Sequence, residues 1–198
     1  MKLKPCSLAL FVGAVVASSS LWAVGPATPE MLSYTCNGCH GTDGSSAGLS
    51  NPTIAGLTED YFDKAMKEFK SGARPSTIMQ RLAKGYTDAD FKTMANFFAA
   101  KKFVRTPQEV DPAKVALGKA LHEKRCETCH TKSGYDNDEG VSVLAGQWKD
   151  YLQVTMDEYR TGRRAMPKKM AQKVMLEGTP KLTDAEVAAL IHFYASQQ

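Results

Sequence analysis

One five-residue pattern occurs twice in this 198-residue chain and constrains it more than any other feature. The copies read Cys36-Asn37-Gly38-Cys39-His40 and Cys126-Glu127-Thr128-Cys129-His130. Two thiols at i and i+3 of a helical turn face the same way. They can add to the two vinyl groups on one edge of a porphyrin. The histidine at i+4 then lies under the ring with a nitrogen directed at the iron. Cys-x-x-Cys-His is the attachment pattern of c-type haem. Cys36, Cys39, Cys126 and Cys129 are therefore expected to hold two covalent haem c groups, with His40 and His130 as axial ligands. A thioredoxin-like redox pair, a four-cysteine zinc site and structural disulfides also use paired cysteines. Each of those uses leaves the histidine after both pairs without a role.

The distance between the motifs is also the period of a repeat. A shift of 90 residues places Cys36 on Cys126, Ile54-Ala55-Gly56 on Leu144-Ala145-Gly146, Tyr61 on Tyr151 and Gly72 on Gly162. Near the ends a shift of 96 places Thr87-Asp88 on Thr183-Asp184 and Phe97-Phe98-Ala99 on Phe193-Tyr194-Ala195. The second half thus carries extra residues after Gly162. The chain divides into a first domain over 26–103 and a second over 104–198, joined by a polar connector near Lys101 to Asp111.

Both halves read as helical, and no strand pattern is visible. Thr28-Pro29 and Asp111-Pro112 each pair an N-cap residue with proline at the first helical position. Thr58 caps a helix over 59–71 that Gly72 terminates. Thr87 starts a helix through Ala99, and Thr183 with Glu186 forms a capping box for the last helix. A glycine- and serine-rich loop separates each motif from the helix that follows. Domains of about 80 residues bury little apolar surface, and a bound haem would supply much of the missing interior.

The second ligand of each iron is sought among the methionines, because Met/His ligation raises the potential of cytochromes c. Met79 lies in a loop between helices, seven residues after Gly72. Met66 and Met94 sit at helical spacing among apolar residues and read as core. In the second half Met166, Met170 and Met175 compete. Met170 follows Gly162 by eight residues and is preferred, with the insertion placed after it. His122 and His192 read as partly buried or surface residues.

Other residues have expected places around the haems. The Pro52 carbonyl would accept from the His40 ring and orient it, and the backbone carbonyl of Ser142 would do the same for His130. Tyr61, Tyr151 and Trp148 read either as donors to haem propionates or as packing residues. Arg160, Arg163, Arg164, Lys168 and Lys169 read as a solvated face, with an acidic partner or the haem propionates as the alternative.

Residues 1–25 read as a cleaved signal peptide. Lys2 and Lys4 precede an apolar run from Leu8 to Ala17, which small residues follow. That run is shorter than the roughly 20 residues a membrane span needs. The expected compartment is the periplasm. The formal charge of +4 falls to +2 without Lys2 and Lys4, and the basic residues are dispersed. Nothing in that pattern suggests nucleic-acid binding.

Leu144-Ala145-Gly146-Gln147, Tyr151-Leu152, Tyr159, Gly162 and Arg163 resemble the pattern of dihaem class I cytochromes c of the c4 type. Phe69-Lys70-Ser71-Gly72, Ser76-Thr77-Ile78-Met79, Lys168-Lys169-Met170-Ala171 and the ending Phe193-Tyr194-Ala195-Ser196-Gln197-Gln198 are similar to the cytochrome subunit of flavocytochrome c sulfide dehydrogenase. The resemblance implies an all-α fold of two tandem class I cytochrome c domains, related by a pseudo-twofold axis, with one haem in each. It implies Met79 and Met170 as axial ligands, although Met166-Pro167 departs from the pattern. It implies electron transfer without catalytic residues on this chain, an FAD-containing sulfide-oxidising partner subunit and an external acceptor. The c4-type resemblance implies a different role, a free-standing carrier that feeds a terminal oxidase.

Overall fold

The computed structural model describes residues 26–137, 141–174 and 181–198, excepting the side chains of 173 and 174. The expected signal segment and Met175 lie outside these residues. The described residues contain helices and turns and no strand. In chain order the helices are α1 (Pro29–Ser33), α2 (Asn37–His40), α3 (Glu59–Ser71), α4 (Met79–Ala83) and α5 (Asp88–Ala99). There follow α6 (Pro112–Arg125), α7 (Thr131–Gly134), α8 (Lys149–Arg160), α9 (Lys168–Val174) and α10 (Asp184–Ser196).

The helix starts lie where the capping residues place them. Thr28, Thr58, Thr87, Asp111 and Thr183 are N-caps whose side chains accept from backbone N–H groups of the first turn. These bonds satisfy donors that a helix leaves unpaired. At Thr87 the box is reciprocal, since the Asp90 carboxylate accepts from the Thr87 N–H at 2.7 Å. Thr87→Ala is expected to cost the first domain about 1 kcal/mol, read as a lower denaturant midpoint. The end of α3 is also as predicted: Gly72 adopts φ 85°, a left-handed conformation favoured by glycine.

Among the described residues each repeat has its own main core, and a smaller cluster of Phe103, Val143 and Ala145 lies where the connector meets the second repeat. Phe62, Met66, Phe91, Met94 and Phe98 build the first from α3 and α5. Leu152, Leu182, Val187, Leu190, Ile191 and Phe193 build the second around α8 and α10. Met66 and Met94 are thus core residues. The repeat is equally visible in the hydrogen bonds. Ile54 and Ala55 N–H donate to the Gly44 carbonyl, and Gly56 N–H donates to Phe98 O at 2.8 Å. Leu144 and Ala145 donate to Gly134, and Gly146 donates to Tyr194 O at 2.8 Å. These pairs follow the shift of 90 in the loops and 96 at the last helix.

The two domains meet along a polar seam. The Gln147 carboxamide bridges both backbone groups of Thr53, accepting at 3.1 Å and donating at 2.8 Å. Asn137 does the same between Thr58 N–H and Gly56 O. The indole N–H of Trp148 donates to Ser46 O at 3.1 Å. That bond uses the only donor of Trp148, so its expected role as a propionate donor gives way to one in domain docking. The connector lies on the second domain, where Arg105 stacks on Tyr135 and donates to Ala145 O.

Candidate haem sites

The first motif begins in a 3-10 turn, Tyr34–Cys36, and continues into α2. Its backbone is helical, as the paired thiols require. The His40 ring is buried, and its Nδ1 lies 2.8 Å from Pro52 O, the partner expected from the sequence. This bond fixes the ring plane and leaves Nε2 for a metal. Burial outweighs that bond and holds the His40 pKa below the usual histidine range. The ring is therefore neutral, the form that ligates iron.

The second motif differs. It forms a turn at the end of α6, closed by His130 N–H to Cys126 O at 2.9 Å. Burial, with the nearby His122, holds the His130 pKa down at about 4. Its Nδ1 is buried and has no hydrogen-bond partner among the described residues. The expected acceptor, the Ser142 carbonyl, is not bonded to it. Backbone geometry accompanies the difference: after His40 the positive φ falls at Gly41 (75°), whereas after His130 it falls one place later, at Lys132 (51°), while Asp43 (55°) and its repeat mate Ser133 (59°) agree.

The thiols are unpaired with one another. Burial raises the pKa of Cys36 and Cys126, which therefore remain protonated. Among the described residues no group of three His, Cys, Asp or Glu side chains is placed to hold a metal, so the two pairs form no shared zinc site.

Met79 is the first residue of α4 and does not lie in a loop. The Ser76 hydroxyl accepts from Ile78 N–H at 3.3 Å and Met79 N–H at 3.0 Å, which sets the turn. Met79 packs against the same core cluster as Cys36. Met170 lies in α9, and both it and Met166 pack against the cluster that holds Cys126. Each domain thus brings one motif cysteine and at least one half-buried methionine to a common apolar wall. Neutral imidazoles, buried at His40 and half-buried at His130, with free thiols and thioether sulfurs are the donor set of a covalent haem with His/Met ligation. The residues fit that group.

The structure corrects the reading of His122, while His192 is partly buried as expected. His122 is 1 % exposed and belongs to a buried network, with Nδ1 2.9 Å from Tyr194 OH and Nε2 on the Glu127 carboxylate. His192 Nδ1 accepts from Asp111 N–H at 3.0 Å, at the start of α6. The expected basic face is also split. Arg160 pairs with Asp184 at 2.7 Å, Arg163 is exposed, and Arg164 turns inward. Arg74 is buried at the equivalent place of the first domain. The repeat held a signal for both, since an arginine stands two residues after Gly72 and after Gly162.

Comparison with known proteins agrees with this geometry. The profile of the cytochrome c family matches residues 115–198. The chain is 46 % identical over 79 residues to the cytochrome subunit of sulfide dehydrogenase from Chlorobaculum tepidum, covering 38 % of this chain and 71 % of that protein. It is 31 % identical over 173 residues to cytochrome c4 of Pseudomonas aeruginosa, covering 83 % of this chain and 84 % of that one. Reduced recombinant cytochrome c4 from Pseudomonas stutzeri superposes with a TM-score of 0.72 at 25 % identity, over 83 % of this chain and 94 % of that structure. Two motifs on two matching helical domains, in a chain alike to cytochrome c4 over most of its length, identify an electron-transfer protein of the cytochrome c family, of the dihaem c4 type, with two covalent haem c groups.

Proposed function

We propose that this chain is the electron-transfer subunit of a sulfide-oxidising complex in the periplasm. An FAD-containing partner subunit oxidises sulfide, electrons enter this chain at one domain, and they leave from the other to a soluble acceptor. The observation that carries this reading is the 46 % identity with the sulfide dehydrogenase cytochrome subunit. Bound haem c supplies a one-electron iron couple. The chain's own residues hold that couple: Cys36, Cys39, Cys126 and Cys129 anchor it, and His40 with Met79 and His130 with Met170 ligate it. Residues 1–25 direct export, and the domains span 26–103 and 104–198. No helix among the described residues is long and apolar enough to cross a membrane.

The likeness to cytochrome c4 across 84 % of that protein supports a second reading, a free-standing carrier to a terminal oxidase. Native purification separates the two. Copurification of a flavin-bearing subunit, with both haem and flavin bands in the optical spectrum, is the expected result. A haem-only species that reduces slowly with sulfide would instead select the carrier.

A further inference from the structure

A cavity of about 310 Å³ lies beside the first haem site, between the end of α3 and α4. That volume is at the small end of ligand sites. Its polar wall has one sign. Lys70, Ser76, Thr77, Gln80, Arg81 and Lys84 contribute to it, and among the described residues no carboxylate lines it.

The three cations are not alike. Lys70 is already committed: its Nζ donates to Tyr86 O at 2.7 Å and lies 3.6 Å from the Asp88 carboxylate. Arg81 and Lys84 make neither a hydrogen bond nor an ion pair among the described residues. They stand three apart, Arg81 in α4 and Lys84 at its C-cap, and so share one face. Like charges at that spacing repel, and an anion between them offsets the repulsion. Neutral donors complete the wall. Ser76 Oγ accepts from Ile78 N–H and Met79 N–H, which leaves its own O–H available to donate. The Gln80 amide nitrogen faces the turn at Gly72, 3.4 Å from where a Cβ there would stand.

The second domain lacks this wall. With Met79 set on Met170, Ser76 falls on Pro167, Gln80 on Ala171 and Arg81 on Gln172. Holding a haem, which both repeats share, therefore does not account for these residues. The cavity nevertheless touches the first redox centre. Phe69 lines it and packs in the cluster of Cys36 and Met79. Ser76 holds the Met79 N–H at 3.0 Å, and Gln80 follows Met79 in α4. A negative charge placed here opposes the addition of an electron to the first haem.

We propose that this cavity binds a small divalent oxyanion of the sulfate class, held by Arg81 and Lys84 with Ser76 and Gln80, and that its occupancy favours the oxidised form of the first haem. By linkage the oxidised protein binds the anion more tightly, by the same factor. The site needs no partner subunit, so it stands whether the chain works in a complex or as a free carrier.

The test is calorimetric titration of the purified dihaem chain with sodium sulfate, at an ionic strength held constant with sodium chloride. One saturable site per chain is expected. Arg81→Gln combined with Lys84→Gln is expected to weaken binding about tenfold or more, through the loss of two charge-assisted contacts. Both side chains are exposed, so the exchange leaves the first core untouched. Lys168→Gln combined with Lys169→Gln, exposed cations of the second domain, is the control and is expected to stay within about twofold of wild type. Voltammetry that resolves the two haems reads the coupling. Saturating sulfate is expected to shift the first haem toward the oxidised form by about fivefold and to leave the second within about twofold. A tenfold shift would be about 59 mV for a one-electron couple. The Arg81 and Lys84 double variant is expected to lose the shift. Absence of saturable binding, equal weakening by the control pair, or equal shifts of both haems shows an adventitious ion only and overturns the proposal. Saturable binding that leaves the first haem unmoved overturns it as well.

Discussion

Met79→Ala is expected to keep both haems covalently attached while the first haem loses its methionine ligand. Attachment depends on Cys36 and Cys39, which the substitution leaves untouched. Three readouts change together. The weak far-red band of Met–iron ligation falls by about half, because one of two centres contributes no longer. Carbon monoxide binds the reduced protein at one haem per chain without denaturation. The potential of that haem drops by more than about 100 mV, a fraction of the roughly 0.8 V over which axial ligands tune haem. Met94→Leu is the control. Met94 is fully buried in the first core, and a volume-conserving change there costs less than about 1.5 kcal/mol and leaves the spectrum alone. If Met79→Ala retains the full band and excludes carbon monoxide, Met79 is not the ligand. The same measurement on Met166→Ala and Met170→Ala separates the two methionines that share the second wall.

What could be read from the sequence was local or repeated. Caps are set within four residues, so Thr58, Thr87, Asp111 and Thr183 were legible directly. The repeat carried the two motifs and, with its change of shift, the match of Phe98 to Tyr194. Features made by distant contacts were not legible. Helix α4 has five residues and an N-cap, Ile78, that makes no side-chain bond, so the Ser76 hydroxyl and packing on the first core hold it. The His122–Tyr194 bond joins residues 72 apart, and neither type by itself announces a buried polar pair. Among five cations around Gly162, only the tertiary structure shows that Arg164 is the one turned inward. The partner in electron transfer lies furthest from the residues, since it belongs to a surface that no motif in this chain describes.

Gly118 shows how far a tertiary contact can reverse a local rule. It stands in the middle of α6, where exchange for alanine ordinarily stabilises a helix by about 1 kcal/mol. Here the expected sign is opposite. A Cβ on Gly118 would lie 2.1 Å from Ala189 O, 2.6 Å from Ala189 C and 2.7 Å from the Phe193 Cβ, all on α10. Two of these atoms are backbone and the third is fixed to it, so no rotamer change relieves the overlap. Helices α6 and α10 must separate, and overpacking of this kind costs about 3 kcal/mol or more. The damage reaches the cofactor, because α6 ends at Cys126 and α10 supplies Tyr194, the partner of His122. Gly118→Ala is therefore expected to lower the melting temperature of the second domain sharply and to reduce haem content toward one per chain. Gly38→Ala provides the contrast. That glycine has nothing within 4 Å of its Cβ position and no positive φ, so its stability effect is expected within about 0.5 kcal/mol. A Gly118→Ala protein that melts at or above the wild-type temperature with two haems would show that the helices do not cross this closely.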